Sequence, residues 1–306
     1  MSLLLNGIVP PLITPLKGRD ELDAEGLEKL VEYVLSGGVH GLFLLGSTGE
    51  APGLSYRLRR ELVERVCRLV NERVPVLVGI TDSSIVEALN MADCAAEAGA
   101  SAVVASTPFY FPAGQEELGD YFERLAEDLP LPLVLYNMPG FTKTSISIET
   151  VCQLAQNPKI IGVKDSSCDM IHFHRLLQTR PEREDWSLLM GPEELTAEAV
   201  LMGASGGVCG GANVAPKLFV ELYDAALKRD IDRIQILQAQ ALRMGQALYR
   251  TGKHSSSMIK GIKCALSLLG ICDDFMADPA SRFKKEERQS IEGQLATSGI
   301  RPWLSA

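Results

Sequence analysis

A lysine closes an apolar run in this 306-residue chain, Ile160-Ile161-Gly162-Val163-Lys164. If that run is a strand, the amine reaches an apolar mouth. Burial disfavours a charged ammonium, and a neutral amine can attack a ketone to form an imine. The same placement also suits a lysine that caps a strand and pairs with a carboxylate such as Asp165. The other eleven lysines occupy polar segments, helix ends or turns, and none shares this setting.

Further reactive types fall at similar places. Gly46-Ser47-Thr48-Gly49 is a glycine-flanked turn whose hydroxyls and N–H groups suit a carboxylate or phosphate; Ser and Thr there also suit ordinary helix capping. Tyr136 ends another apolar run and could exchange a proton with an imine or enamine. A phenol is a poor base alone and would need a relay or a nearby cation, and an aromatic at a strand end also suits simple packing. The glycines at 203, 206, 207, 210 and 211 could cradle a phosphate or allow close backbone approach. His172 and His174 form the one close histidine pair, which fits a surface helix better than a metal site.

These residues need a frame that gathers them. Eight apolar runs punctuate the chain, at 7–14, 40–45, 76–80, 102–106, 132–136, 160–164, 187–190 and 206–209. Apolarity without alternation marks strands buried on both faces of a parallel sheet. Amphipathic segments at 24–36, 57–73, 84–98, 115–128, 147–156, 169–179, 193–203 and 215–229 predict the intervening helices. Strand–helix units recurring every roughly 25–35 residues fit a barrel or a doubly wound sheet. Eight of them, without a strong dinucleotide fingerprint, favour an α/β (β/α)₈ TIM barrel over residues 1–230. A helical extension at 231–306, with segments 231–250, 256–270 and 284–297 and no obvious catalytic cluster, completes the chain. Barrel enzymes place their chemistry at the carboxyl ends of the strands. Gly46–Glu50, Thr107–Tyr110, Tyr136–Pro139, Lys164–Ser167 and the tract 206–213 then share one rim.

Composition removes several alternatives. A net charge of −9 lacks the basic footprint that nucleic acids require. Seven cysteines, with no CxxC and no zinc spacing, fit reduced thiols. The N-terminus has no basic region ahead of its apolar stretch, and no run approaches the ~20 apolar residues of a membrane span. The expectation is a soluble cytoplasmic protein without nucleic-acid or membrane partners.

At these motifs the chain resembles the dihydrodipicolinate synthase / N-acetylneuraminate lyase family of class I aldolases. GSTGE (46–50), TPFY (107–110), YNMP (136–139), GVKDSS (162–167) and GANVAP (211–216) stand in family order and spacing over about residues 5–300. The resemblance implies that Lys164 forms an imine with pyruvate, and that Tyr136 shuttles protons. It implies that Ser47 and Thr48 hold the pyruvate carboxylate, with Ser47 also in the relay. Tyr110 would reach into a neighbouring subunit's site, and the Val208 main-chain oxygen would face the pyruvate unit. Gly191 and Glu193 would join the substrate contacts. No metal or organic cofactor is needed, and a homotetramer built from dimers is implied.

The chain also departs from the family. Lysine-pathway synthases follow the tyrosine motif with an arginine that grips the aldehyde's carboxylate; here Phe141 stands at that place, with Lys143 nearby as a point charge. Sialic acid lyases carry an acidic pair, kept here as Glu193 and Glu194, and a serine where this chain has Gly210. These departures favour cleavage of a 2-oxo-3-deoxy sugar acid, or a related 2-oxo acid, to pyruvate and an aldehyde. The alternatives are dihydrodipicolinate synthesis from aspartate semialdehyde, a phosphate-substrate aldolase and a non-catalytic 2-oxo acid sensor.

Overall fold

The computed structural model describes residues 3–304, apart from 180, 184 and 298. Eight strands form one sheet: β1 (Gly7–Ile8), β2 (Leu42–Leu44), β3 (Val76–Gly79), β4 (Ala102–Ser106), β5 (Leu133–Asn137), β6 (Ile160–Asp165), β7 (Ser187–Met190) and β8 (Gly206–Gly207). Every pairing is parallel, in the order β1-β8-β7-β6-β5-β4-β3-β2. The ring closes through a Pro11–Phe43 bridge, flanked by Phe43 N–H to Pro10 O and Leu12 N–H to Phe43 O, both 2.9 Å. This is the predicted barrel.

The first and last strands are shorter than the apolar runs that predict them. Pro10 and Pro11 have no N–H to donate, so the ladder of the 7–14 run thins to a bridge. The run 206–209 pairs only at Gly206–Gly207. A small antiparallel hairpin, Leu16–Gly18 with Glu21–Leu22, was not predicted.

The barrel helices are α1 (Ala24–Ser36), α2 (Tyr56–Val70), α3 (Ile85–Glu97), α4 (Gln115–Asp128), α5 (Ile148–Leu154), α6 (Met170–Gln178), α7 (Thr196–Leu201) and α8 (Pro216–Leu227). Side-chain caps start several of them: Asp23 accepts from Gly26 N–H, Ser55 from Leu58 N–H, Ser147 from Thr150 N–H and Asp169 from Ile171 N–H. Helix α2 stops short of the predicted residue 73 because Asn71 and Glu72 take left-handed conformations. The predicted 193–203 helix divides into a 3₁₀ turn, Glu193–Leu195, and α7. Three more helices follow: α9 (Ile231–Tyr249), α10 (Ser257–Leu268) and α11 (Lys285–Thr297). Helix α9 packs on α8 and α10, and α11 on both α9 and α10. Among the described residues no helix is long and apolar enough to cross a membrane.

Two apolar layers result. One fills the barrel interior, with Val9, Phe43, Leu77, Val134, Tyr136 and Leu189 among its members. The other lies between sheet and helices and includes Leu133, Leu135 and Val163. A one-residue slip decides which layer receives Lys164. Leu133 pairs with Ile160, but Val134 pairs with Gly162, leaving Ile161 as the extra residue of a bulge. Tyr136 therefore pairs with Lys164, and both face inward. Without the bulge Tyr136 would oppose Val163, and Lys164 would point at the helices.

Gly162 makes that junction possible, since a Cβ there would lie 2.3 Å from the Ser187 carbonyl oxygen. Gly162→Ala is expected to force β6 from β7 and cost about 1–3 kcal/mol in urea unfolding. Gly293→Ala, on α11 where an added Cβ meets nothing, is expected to gain about 0.5–1 kcal/mol. Equal effects from the two substitutions would contradict the close approach assigned to Gly162.

Candidate active site

Lys164 is 6% exposed, at the carboxyl end of β6. Its Nζ lies 3.6 Å from the Tyr136 ring centroid and 5.3 Å from that of Phe43. The two rings meet edge-on, 6.3 Å apart. Asp165 is not the amine's partner: its buried carboxyl accepts from Asn137 Nδ2 at 2.7 Å and from Ser167 Oγ at 2.8 Å. Burial raises the Asp165 pKa, against the pull of those hydrogen bonds. Asn137 in turn takes the Ile146 N–H at 3.0 Å, tethering the loop that carries Met138 and Phe141.

The Tyr136 hydroxyl sits 3.4 Å from Ser47 Oγ. Burial pushes this phenol up. The Lys164 charge and hydrogen bonds with Lys164, Ser47 and Ser166 outweigh that, so it lies below its ordinary 10.0. A positive charge and two hydroxyls, those of Ser47 and Ser166, therefore stand beside the phenol. Gly191 allows the third contact, because a Cβ there would fall 1.9 Å from Ser166 Oγ.

Ser47 and Thr48 lie half-buried on the turn after β2. Thr14 Oγ1 donates to the Gly49 carbonyl at 2.7 Å and braces that turn. Around Lys164 the mouth holds about 260 Å³, lined also by Thr48, Ser166, Gly191, Glu194, Val208 and Tyr249. A second lobe of about 280 Å³ opens beyond Ser47 and Tyr136 and is walled by Phe43, Leu45, Pro52, Val104 and Phe109. Phe141, 57% exposed on the helical turn Pro139–Thr142, borders both lobes. A wider cleft of about 750 Å³ lies at the amino ends of β3 and β4, away from this chemistry.

The structure thus brings together Lys164, Tyr136, Ser47, Thr48, Val208, Phe141, Gly191 and Glu193. It does not bring Tyr110 to the same chain's mouth. That ring is 82% exposed and stacks edge-on against Phe111 at 5.1 Å. Tyr249 and Met258 line the Lys164 lobe although the extension showed no catalytic pattern in sequence. Lys263 overturns the expectation that the other lysines lie in polar settings, being fully buried within α10.

Charge in the Lys164 lobe is set by three described residues, Lys164, Glu193 and Glu194. Among the described residues no guanidinium lines it, and Lys143 Nζ donates to the Gly140 carbonyl at 2.7 Å instead. Both Glu193 oxygens are engaged, one by Gly211 N–H at 2.6 Å and the other by Tyr249 hydroxyl at 2.5 Å. Glu194 is the more exposed of the pair.

Burial raises the Glu193 pKa from its ordinary 4.5 to about 7, against those two donors. Between these values the folded chain holds a proton that the unfolded chain has released. Stability is therefore lost as pH rises through this window. Glu193→Gln removes that contribution, so its Tm relative to wild type is expected to climb from about pH 4.5 to 7. A Tm difference that stays constant across the window would count against a protonated Glu193.

The geometry can now be set beside known proteins. Residues 4–298 match the dihydrodipicolinate synthetase family. A dihydrodipicolinate synthase from Bacteroides thetaiotaomicron superposes with a TM-score of 0.94 at 49% identity, over 97% of this chain and 99% of that one. YagE of Escherichia coli K12, solved with pyruvate, superposes at 0.90 with 27% identity, over 97% and 99%. A probable 2-dehydro-3-deoxy-D-pentonate aldolase of E. coli K12 is 29% identical over 97% of this chain and 98% of its own. The barrel, its rim motifs and the match over nearly the whole chain agree, and the protein belongs to the dihydrodipicolinate synthetase family of lyases and synthases.

Proposed function

We propose that this enzyme is a Schiff-base aldolase that reversibly cleaves a 2-oxo-3-deoxy sugar acid, or a close relative, to pyruvate and a hydroxyaldehyde. The observation that carries the reading is the inward amine of Lys164 against a phenol of lowered pKa. The Lys164 amine adds to the C2 carbonyl, and loss of water leaves an iminium. Tyr136 takes the proton of the C4 hydroxyl, the C3–C4 bond breaks and its electron pair enters the iminium. An aldehyde and an enamine result. Tyr136 returns the proton to C3, and water releases pyruvate and the free amine. Ser47 and Thr48 hold the carboxylate throughout, with Val208 and Gly191 shaping the floor.

The leaving half is assigned from what lines the mouth. A second carboxylate would meet Phe141 and Glu194 rather than a guanidinium, whereas hydroxyls could donate to Glu194. Engaged by its own donors, Glu193 would act by shaping the wall. The pentonate aldolase relative supports this class, and the pyruvate-bound neighbour supports the other half. The second reading, a dihydrodipicolinate synthase, is favoured by the 49% identical neighbour of that name.

Tyr110 completes the relay only from a neighbouring subunit, consistent with its exposure, so we read the working unit as a dimer within a homotetramer in the cytoplasm. With pyruvate saturating, glyceraldehyde is expected to condense at least about tenfold faster than aspartate semialdehyde, the worth of one missing charge-assisted contact. Phe141→Arg should narrow that preference. Faster turnover of aspartate semialdehyde by wild type would replace the first reading with the second.

A further inference from the structure

Behind the Ser47–Thr48 turn lies a buried charge that the mouth does not use. Lys263 Nζ is 2.5 Å from Glu50 Oε1 and donates to the Phe275 carbonyl at 2.7 Å. The other Glu50 oxygen accepts the Ala277 N–H at 2.8 Å. Both side chains are buried, Lys263 completely. Glu50 stands two residues after Thr48 in a left-handed conformation, φ +59°. A non-glycine residue holds that conformation only where its surroundings determine it.

The segment 275–278 lies close against the same loop, since a Cβ on Gly53 would come 2.9 Å from Ala277 Cβ and 3.0 Å from the Asp278 carbonyl oxygen. The turn is therefore held from two sides, by Thr14 at Gly49 and by the C-terminal extension at Glu50. Two charges removed from water keep their place only while both are present and hydrogen-bonded. Neither reaches the reacting atoms, because neither lines the mouth.

We infer that Glu50 and Lys263 are positioning residues for the reaction, a buried pair through which the C-terminal helices set the turn that takes the pyruvate carboxylate. The inference rests on the reading of Ser47 and Thr48 as the carboxylate holders. Helix α10 and the segment 275–278 then serve a purpose beyond packing, because they fix two hydroxyls relative to Lys164 and Tyr136. An error of about 1 Å in such a site is costly to catalysis.

Pyruvate binding by calorimetry, paired with thermal melts, tests this on the full-length protein. Glu50→Gln and Lys263→Met are each expected to weaken pyruvate binding about tenfold, the worth of one charge-assisted contact. The double variant removes the stranded charge and should regain much of the lost Tm, but its affinity should stay low. Leu125→Ala, a cavity in distant α4, should lower Tm and leave affinity unchanged. If Lys263→Met fails to fold, Glu50→Gln and the double variant carry the comparison. Wild-type affinity in those variants, or recovery of affinity together with Tm in the double variant, would overturn the inference. Absence of pyruvate binding by wild type would instead remove the proposed function.

Discussion

The pairing of Tyr136 with Lys164 across β5 and β6 sets an amine, shielded from water, against a phenol inside an apolar barrel. Each group suits the other. A cation over an aromatic face gains about 0.5–2 kcal/mol, more as water is excluded. The same charge, together with hydrogen bonds from Lys164, Ser47 and Ser166, outweighs the cost of ionising the buried phenol. A buried phenol without a cation beside it is held neutral. The rest of the barrel serves this contact, from the bulge at Ile161 to the Asn137–Asp165 bond one residue further along both strands.

Around that contact the rim divides the work. The half that would hold pyruvate is lined by hydroxyls and backbone on short, braced turns. The half that would meet the aldehyde is lined by Phe141, Met138 and Glu194. On the proposed function, Phe141 and Glu194 are the lining residues that would meet the aldehyde half.

Much of this was legible in the sequence. Strand positions follow from runs without alternation, and the rim from where those runs end, so the sequence already places Lys164, Tyr136 and Ser47 at one mouth, where the structure gathers them. Three things were not legible. The bulge is a one-residue slip, and nothing in Ile160-Ile161-Gly162-Val163 says which face Lys164 takes. Lys263 and Tyr249 sit on helices of the extension, and their burial depends on contacts with residues far away in sequence. Glu50 reads as one more polar residue of a turn until its partner, more than two hundred residues on, is seen beside it. A trace of Lys263 did exist, since Met258 to Leu268 is an apolar helix with a lysine amid its buried positions.

The central claim is that the Lys164 amine, and no other, captures the carbonyl of pyruvate. Borohydride reduction in the presence of pyruvate, followed by peptide mass mapping, tests it directly. The account predicts a stable adduct on the peptide carrying Lys164, formed only when pyruvate is present. No adduct, or one on another lysine such as the buried Lys263, would contradict it.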